Sequence, residues 1–193
     1  MARPSMVEQR RTEILDALEE CILKQGLQDT SLENIADTAG VKRTILRHYI
    51  GNRDQIITAL SERWRNIYSD QWLQAISQLP ETDSIDTLLE MLFYIGSTED
   101  NRDNIISHEL FSESKRLEPV KLDQEQNMAE FIKHCSQILA SEYPHANSDD
   151  IELVCYGIYA NYLTSKSMLL LNLHDVTTKL IQSSKRLCDS LAV

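Results

Sequence analysis

The 193 residues, 42% of them apolar, suffice to fill the core of one large domain or two small ones. No run of about 18 apolar residues occurs and Met1–Arg11 lacks the apolar centre of a signal peptide, so a soluble, cytoplasmic chain with no membrane partner is expected. The net charge of −11 is uneven: residues 1–53 hold eight basic and eight acidic side chains, and the remainder holds 11 and 22, so a neutral N-terminal end is joined to an acidic body.

In chain order, the first helix is expected from about Val7 to Gln25. Ile14, Leu15, Leu18, Cys21 and Ile22 form its apolar stripe and Gly26 stops it. Arg3, Arg10 and Arg11 precede or open this helix and are candidates for backbone phosphates, with a solvated tail as the alternative for Arg3. The run T-S-L-E from Thr30 to Glu33 fits a capping box, Leu32, Ile35, Ala36 and Ala39 recur at helical spacing, and Gly40 ends the helix. After the A-G-V turn, Ile45, Leu46, Tyr49 and Ile50 supply an apolar side to the next helix, leaving Lys42, Arg43, Thr44, Arg47 and His48 on a free basic face. Two short helices joined by a three-residue turn, the second with a cationic free face, are the geometry of a helix-turn-helix whose second helix enters a major groove. Gly51 then turns the chain, Asn52 and Gln55 form a second capping box, and a long helix is expected to run to Leu79 before Pro80 closes it.

The segments T-S-L-E-N-I-A-D-T-A-G-V and T-I-L-R-H-Y-I-G-N-R-D-Q-I together resemble the N-terminal domain of the tetracycline-repressor (TetR) family. The resemblance covers about the first quarter of the chain. It implies an all-α, homodimeric transcription factor, usually a repressor released by a small molecule, and it places Arg53 where the family commonly has Lys at a helix start. Where the family commonly has Ser, Gly, Thr and Tyr across its second helix, this chain has Lys42, Thr44, Ile45 and Arg47. Candidate DNA contacts are therefore Thr30, Ser31, Lys42, Arg43, Thr44, Arg47, His48, Tyr49 and Arg53.

Beyond Pro80 the pattern is amphipathic helix followed by polar break. Helices are expected from Asp83 or Ser84 to near Gly96, from Arg102 to Glu113 after the S-T-E-D-N turn, from Pro119 to Glu142, from Asp149 to Leu173, and from Asp175 onward. No useful stretch alternates with period two, so no sheet is expected. The resemblance implies an N-terminal three-helix DNA-binding domain, expected over 1–51, and a C-terminal helical ligand-binding and dimerisation domain, expected over 52–193. Residues 149–173 are apolar on two faces, with Ile151, Val154, Ile158 and Tyr162 on one and Leu153, Tyr156, Ala160 and Leu163 on the other. Because the family's dimer interface is built from its last helices, Ile151, Val154, Ile158, Tyr162, Val176, Leu180, Leu187 and Leu191 are the expected interface.

No catalytic constellation is present: there is no G-x-S-x-G, no H-E-x-x-H, no phosphate-cradling loop and no zinc-spaced Cys-His pair, so neither an enzyme nor a metal or other cofactor is expected. Cys21, Cys135, Cys155 and Cys188 read as buried free thiols, with a redox sensor as the alternative. In the resembling family the second domain surrounds a ligand pocket, for which Trp64, Tyr68, Phe93, His108, Phe111, Asn127, Phe131, His134 and Tyr156 are the candidates and core packing the competing role. The expected function is a repressor on a palindromic operator, released by a small-molecule effector. A ligand-independent regulator or activator of the same fold, and a helical protein adaptor, remain the alternatives.

Overall fold

The computed structural model describes residues 5–80, 84–94 and 98–192, with the backbone alone for 98–100. The expected cap at Asp83, the helix end at Ile95–Gly96 and the contact by Arg3 lie outside the described residues. Nine helices and no strand are present among the described residues. Helix α1 (Met6–Gln25) is started by Ser5, which exchanges hydrogen bonds with Glu8, and it buries Ile14, Leu15, Leu18, Cys21 and Ile22.

Helix α2 (Leu32–Thr38) is capped by Ser31 together with Asn34, one residue later than the Thr30–Glu33 box expected from the sequence. Asn34 can close a box as Glu does, because its amide oxygen also accepts an N–H. The turn follows through Ala39 and Gly40, whose φ of +65° is left-handed and open to glycine at little cost. The Val41 N–H donates to the carbonyl of Ala36 at 2.9 Å and closes the turn into helix α3 (Arg43–Ile50).

Helix α4 (Arg53–Gln78) begins with the reciprocal bonds between Asn52 and Gln55 that the sequence indicated, at 2.8 and 2.9 Å. There follow α5 (Ser84–Leu92), α6 (Thr98–Glu113), α7 (Glu118–Glu142), α8 (Ser148–Leu170) and α9 (His174–Asp189). Helix α6 starts at Thr98 and so includes most of the stretch read as a turn.

The chain divides into two compact units, one of residues 1–65 with 105–124 and the other of 66–104 with 125–193. The first unit thus reaches beyond residues 1–51, and long-range polar contacts account for the extension. Glu109 accepts from the Leu27 N–H and buried Glu113 accepts from the Gln28 amide, so α6 holds the turn before α2. Arg116 clamps Glu113 and the first turn of α4 through Asp54. At the other end of this unit, Trp64 donates its indole N–H to Glu19 of α1 at 3.0 Å.

The second unit packs Ile85, Leu89 and Phe93 with Phe131, Cys135 and Leu139 of α7, Ile151, Val154, Cys155 and Ile158 of α8, and Cys188 and Leu191. A Cβ on Gly157 would lie 2.7 Å from Leu187 Cδ1, so glycine lets α8 and α9 approach closely. All four cysteines are free and buried. Burial and neighbouring Asp189 push the Cys188 thiol up to about 12, and a shared hydrogen bond with Cys155 plus burial push Cys135 higher still, which keeps both as unreactive thiols near neutral pH.

Candidate functional site

Helix α3 buries only Leu46 and Ile50 and leaves Lys42, Arg43, Thr44, Arg47 and His48 exposed. Ile45, expected to pack, is 42% exposed and lies on the free face among them. Tyr49 is half-buried with its ring edge-on to His48 at 5.3 Å. Beside this helix runs a groove of about 540 Å³ whose walls include Arg47, Tyr49 and, from α1, Arg11. The groove thus brings two guanidinium groups, those of Arg11 and Arg47, together with the carboxylate of Glu62, and Arg11 is one of the arginines expected from the sequence to meet phosphate.

Two expected DNA contacts need correction. Thr30 is 2% exposed and its hydroxyl donates to the Gly26 carbonyl, so it ties the turn before α2 and offers nothing to a ligand. Arg53 donates from Nε to the Thr30 carbonyl at 3.0 Å and from Nη2 to the Leu27 carbonyl, so the α4 start grips the same turn. Arg53 is a positioning residue. Arg53→Ala is expected to lower the melting temperature by about 3–12 °C, from about 1.5–3 kcal/mol lost with a charged hydrogen-bond donor at about 2–4 °C per kcal/mol, and to weaken DNA binding without changing its salt slope. An unchanged melting temperature with the slope reduced by about one would restore the phosphate role. Ser31 remains exposed beside its capping partner.

In the second unit the candidate ligand residues separate. Tyr68 lines a cleft of about 340 Å³ between α4, α5 and α8, together with Trp72, Leu88 and Tyr162. Phe131 sits edge-on to Trp72 at 5.1 Å and 5.7 Å from Tyr162, His134 stacks on Trp72 at 5.7 Å, and Phe93 faces Tyr162 at 6.4 Å. Asn127 Oδ1 and His134 Nδ1 are buried with no hydrogen-bond partner. The other four candidates stand apart. Trp64 belongs to the first unit and bonds to Glu19, His108 is exposed, and Phe111 and Tyr156 are 53% and 44% exposed.

Residues 14–60 match the family described as bacterial regulatory proteins, tetR family. Over these residues the chain is similar to the tetR family. The helix-turn-helix regulator BetI of Paraburkholderia phymatum is 33% identical over 72 residues, which are 37% of this chain and 35% of that protein, and BetI of Burkholderia cenocepacia is 32% identical over the same length. The chain therefore spans about a third of the length of the curated relatives it matches. Over nearly the whole chain the fold is that of a TetR transcription regulator from Haloarcula marismortui, with a TM-score of 0.80 at 14% identity covering 94% of this chain and 97% of that one. GusR of Salmonella enterica superposes with a TM-score of 0.74 at 18% identity, covering 97% and 100%.

With a TetR-type domain at one end, the free surface of α8 becomes informative. The residues expected to form an interface between copies turn inward: Ile151, Val154, Ile158 and Leu191 are at most 7% exposed, Tyr162, Leu180 and Leu187 pack on the same core, and Val176 is half-buried. The opposite face carries Leu153, Tyr156, Leu163 and Leu171, exposed by 69, 44, 40 and 62%. Both faces are apolar in sequence, and closure of α7 and α9 over one of them left the other uncovered. Trp72, Tyr162 and Lys166, which line the cleft, were not among the expected ligand residues. The spacing of Trp72 four residues after Tyr68 was the available signal, since it sets both rings on one side of α4.

Proposed function

We propose that this chain is a homodimeric transcriptional regulator that binds a near-palindromic operator, represses, and is released by a small-molecule effector. Residues 1–51 read DNA and 52–193 bind the effector and the second subunit. The observation that carries this reading is the free face of α3, where Lys42, Arg43, Arg47 and His48 stand exposed after a tight Gly40 turn in a TetR-type domain. Cations meet phosphates there and guanidinium groups can fork onto guanine edges. The −11 charge lies outside residues 1–53, so the acidic body turns this end toward the duplex. The effector acts through α4, whose residues 53–65 belong to the first unit and 66–78 to the second. By linkage, an effector that weakens operator binding binds the DNA-bound protein less tightly, by about 1–3 kcal/mol.

A gel-shift assay with DNA flanking the gene tests the reading. Sequence-specific retention on inverted half-sites about one helical turn, 34–36 Å, apart supports it, and no retention of any flanking DNA favours an adaptor. Retention that no effector reverses favours the ligand-independent regulator.

Dimerisation is assigned to the exposed α8 stripe from Leu153 to Leu171, about 27 Å long at 1.5 Å per residue. Soluble monomers rarely leave so continuous an apolar strip uncovered. The double variant Leu153→Glu, Leu163→Glu is expected to halve the mass found by light scattering at micromolar concentration while keeping helical content. Wild type already of monomer mass refutes the interface.

A further inference from the structure

We propose that Ile45 reads the C5-methyl group of a thymine in the major groove, which makes it a specificity-determining residue of the DNA-binding face. This deepens the DNA-binding reading above and rests on it. Ile45 is the third residue of α3, and its N–H donates to the Lys42 carbonyl at 2.8 Å, so the first turn of the helix fixes where the side chain leaves the backbone. The N-terminal residues of a recognition helix are the ones that reach base edges. Leu46 and Ile50, which anchor α3, are buried and Tyr49 is half-buried, whereas Ile45 is 42% exposed. A single exposed isoleucine on an ordinary surface needs no explanation. Here the other exposed side chains of the helix are Arg43, Thr44, Arg47 and His48, a face suited to nucleic acid with one aliphatic group set into it.

At about 100° per residue, Ile45 lies roughly 160° round the helix from Arg43 and from Arg47, each two positions away. The aliphatic stem of neither arginine is therefore placed to cover it, although such stems commonly screen apolar groups on a charged surface. His48 and Tyr49, three and four positions on, are its neighbours along the helix, and their rings meet each other edge-on at 5.3 Å. Helix α3 thus presents arginines on one flank and Ile45 on the other, with Thr44 and His48 between them.

The chemistry of the groove points to the partner. Base edges in the major groove offer hydrogen-bond donors and acceptors, and the C5-methyl of thymine is the apolar group among them. An isoleucine pressed onto the amino group of cytosine would strip it of water and return no hydrogen bond. Against thymine the same side chain buries apolar surface on both partners, so Ile45 favours thymine and disfavours cytosine at one position. The cations draw α3 to the polyanion, and Ile45 adds a preference that charge cannot supply.

The test starts from duplexes selected by the full chain out of a random, unmethylated pool, in which thymine is the only source of a C5-methyl group. Each thymine of the selected site is then replaced in turn by uracil, which lacks the methyl and is otherwise the same base. Uracil at the contacted position is expected to weaken wild-type binding about threefold to fivefold, the effect of losing about one buried methyl group. Ile45→Ala should bind the thymine and uracil duplexes within about 1.5-fold of each other, and Ile45→Val should keep the preference. Since Ile45 carries no charge, Ile45→Ala should leave the slope of log affinity against log salt unchanged, unlike the loss of a phosphate-binding cation. The side chain is exposed, so the melting temperature should stay within about 2 °C of wild type. The uracil series alters the DNA alone and reads the contact independently of any effect on folding. Equal binding of thymine and uracil at every position, or a thymine preference that Ile45→Ala retains in full, overturns the proposal and leaves the DNA-binding reading intact. Failure to select any duplex overturns both.

Discussion

Replacing Arg43 and Arg47 together by alanine is expected to lower operator affinity about 100-fold or more while leaving the protein folded. Both side chains are exposed, and α3 is anchored by Leu46 and Ile50, so the replacements remove charge without opening a cavity. A hydrogen bond to a charged group contributes about 1.5–3 kcal/mol, and two such bonds therefore correspond to roughly two to four orders of magnitude. The single variants separate the two ways of meeting DNA. Removing a cation that pairs with phosphate lowers the slope of log affinity against log salt by about 0.9 and affects all sequences alike. Removing a side chain that reads a base leaves the slope nearly unchanged and relaxes discrimination at one base pair by about 1–3 kcal/mol. Arg47 lines the groove beside α3 with Arg11 and is the expected phosphate partner, whereas Arg43, in the first turn of α3, is the expected base reader. Unchanged affinity in the folded double variant sinks the assignment of the whole face.

The largest loss of stability is expected from Phe131→Ala. Phe131 is 3% exposed and is ringed by Trp72 at 5.1 Å, Tyr159 at 4.9 Å and Tyr162 at 5.7 Å, so its removal leaves a void bordered by three rigid rings that cannot collapse into it. Truncations of this kind cost about 3–5 kcal/mol, and at about 2–4 °C per kcal/mol for a chain of this size the melting temperature should fall by about 6–20 °C. Phe131→Leu, which keeps most of the volume, should lose much less. A fall of under about 2 °C would show that the ring cluster is not the core of this unit.

Much of the first unit is legible in the chain because its signals are local. Capping residues, glycines at turns and apolar spacing act within four or five positions, so the A-G-V turn, the free face from Lys42 to His48 and the Asn52–Gln55 box follow directly from the residues. The slip of one residue at the α2 cap is of the same local kind. Thr30 and Ser31 are both good caps, and the choice falls to Ser31 because Thr30 is drawn back to the Gly26 carbonyl.

What only the tertiary structure decided lies in groups whose partners are distant in sequence. Position along the chain points Arg53 and Thr30 toward DNA, yet the folded turn at 26–30 takes the hydrogen bonds of both. Trp64 has the chemistry of a ligand group, but Glu19, 45 residues away, accepts its N–H. The sequence by itself determined an all-helical chain, its helix-turn-helix and a two-faced α8. It could not determine which face of α8 would be covered, because apolar periodicity marks a face as suited to burial and says nothing about which neighbour arrives. That choice belonged to α7 and α9. Their closure over Ile151, Val154 and Ile158 placed Leu153 and Leu163 outside, and the packing of α4 and α5 beside α8 brought Trp72 to Tyr162 and Lys166, distant in the chain, at one cleft.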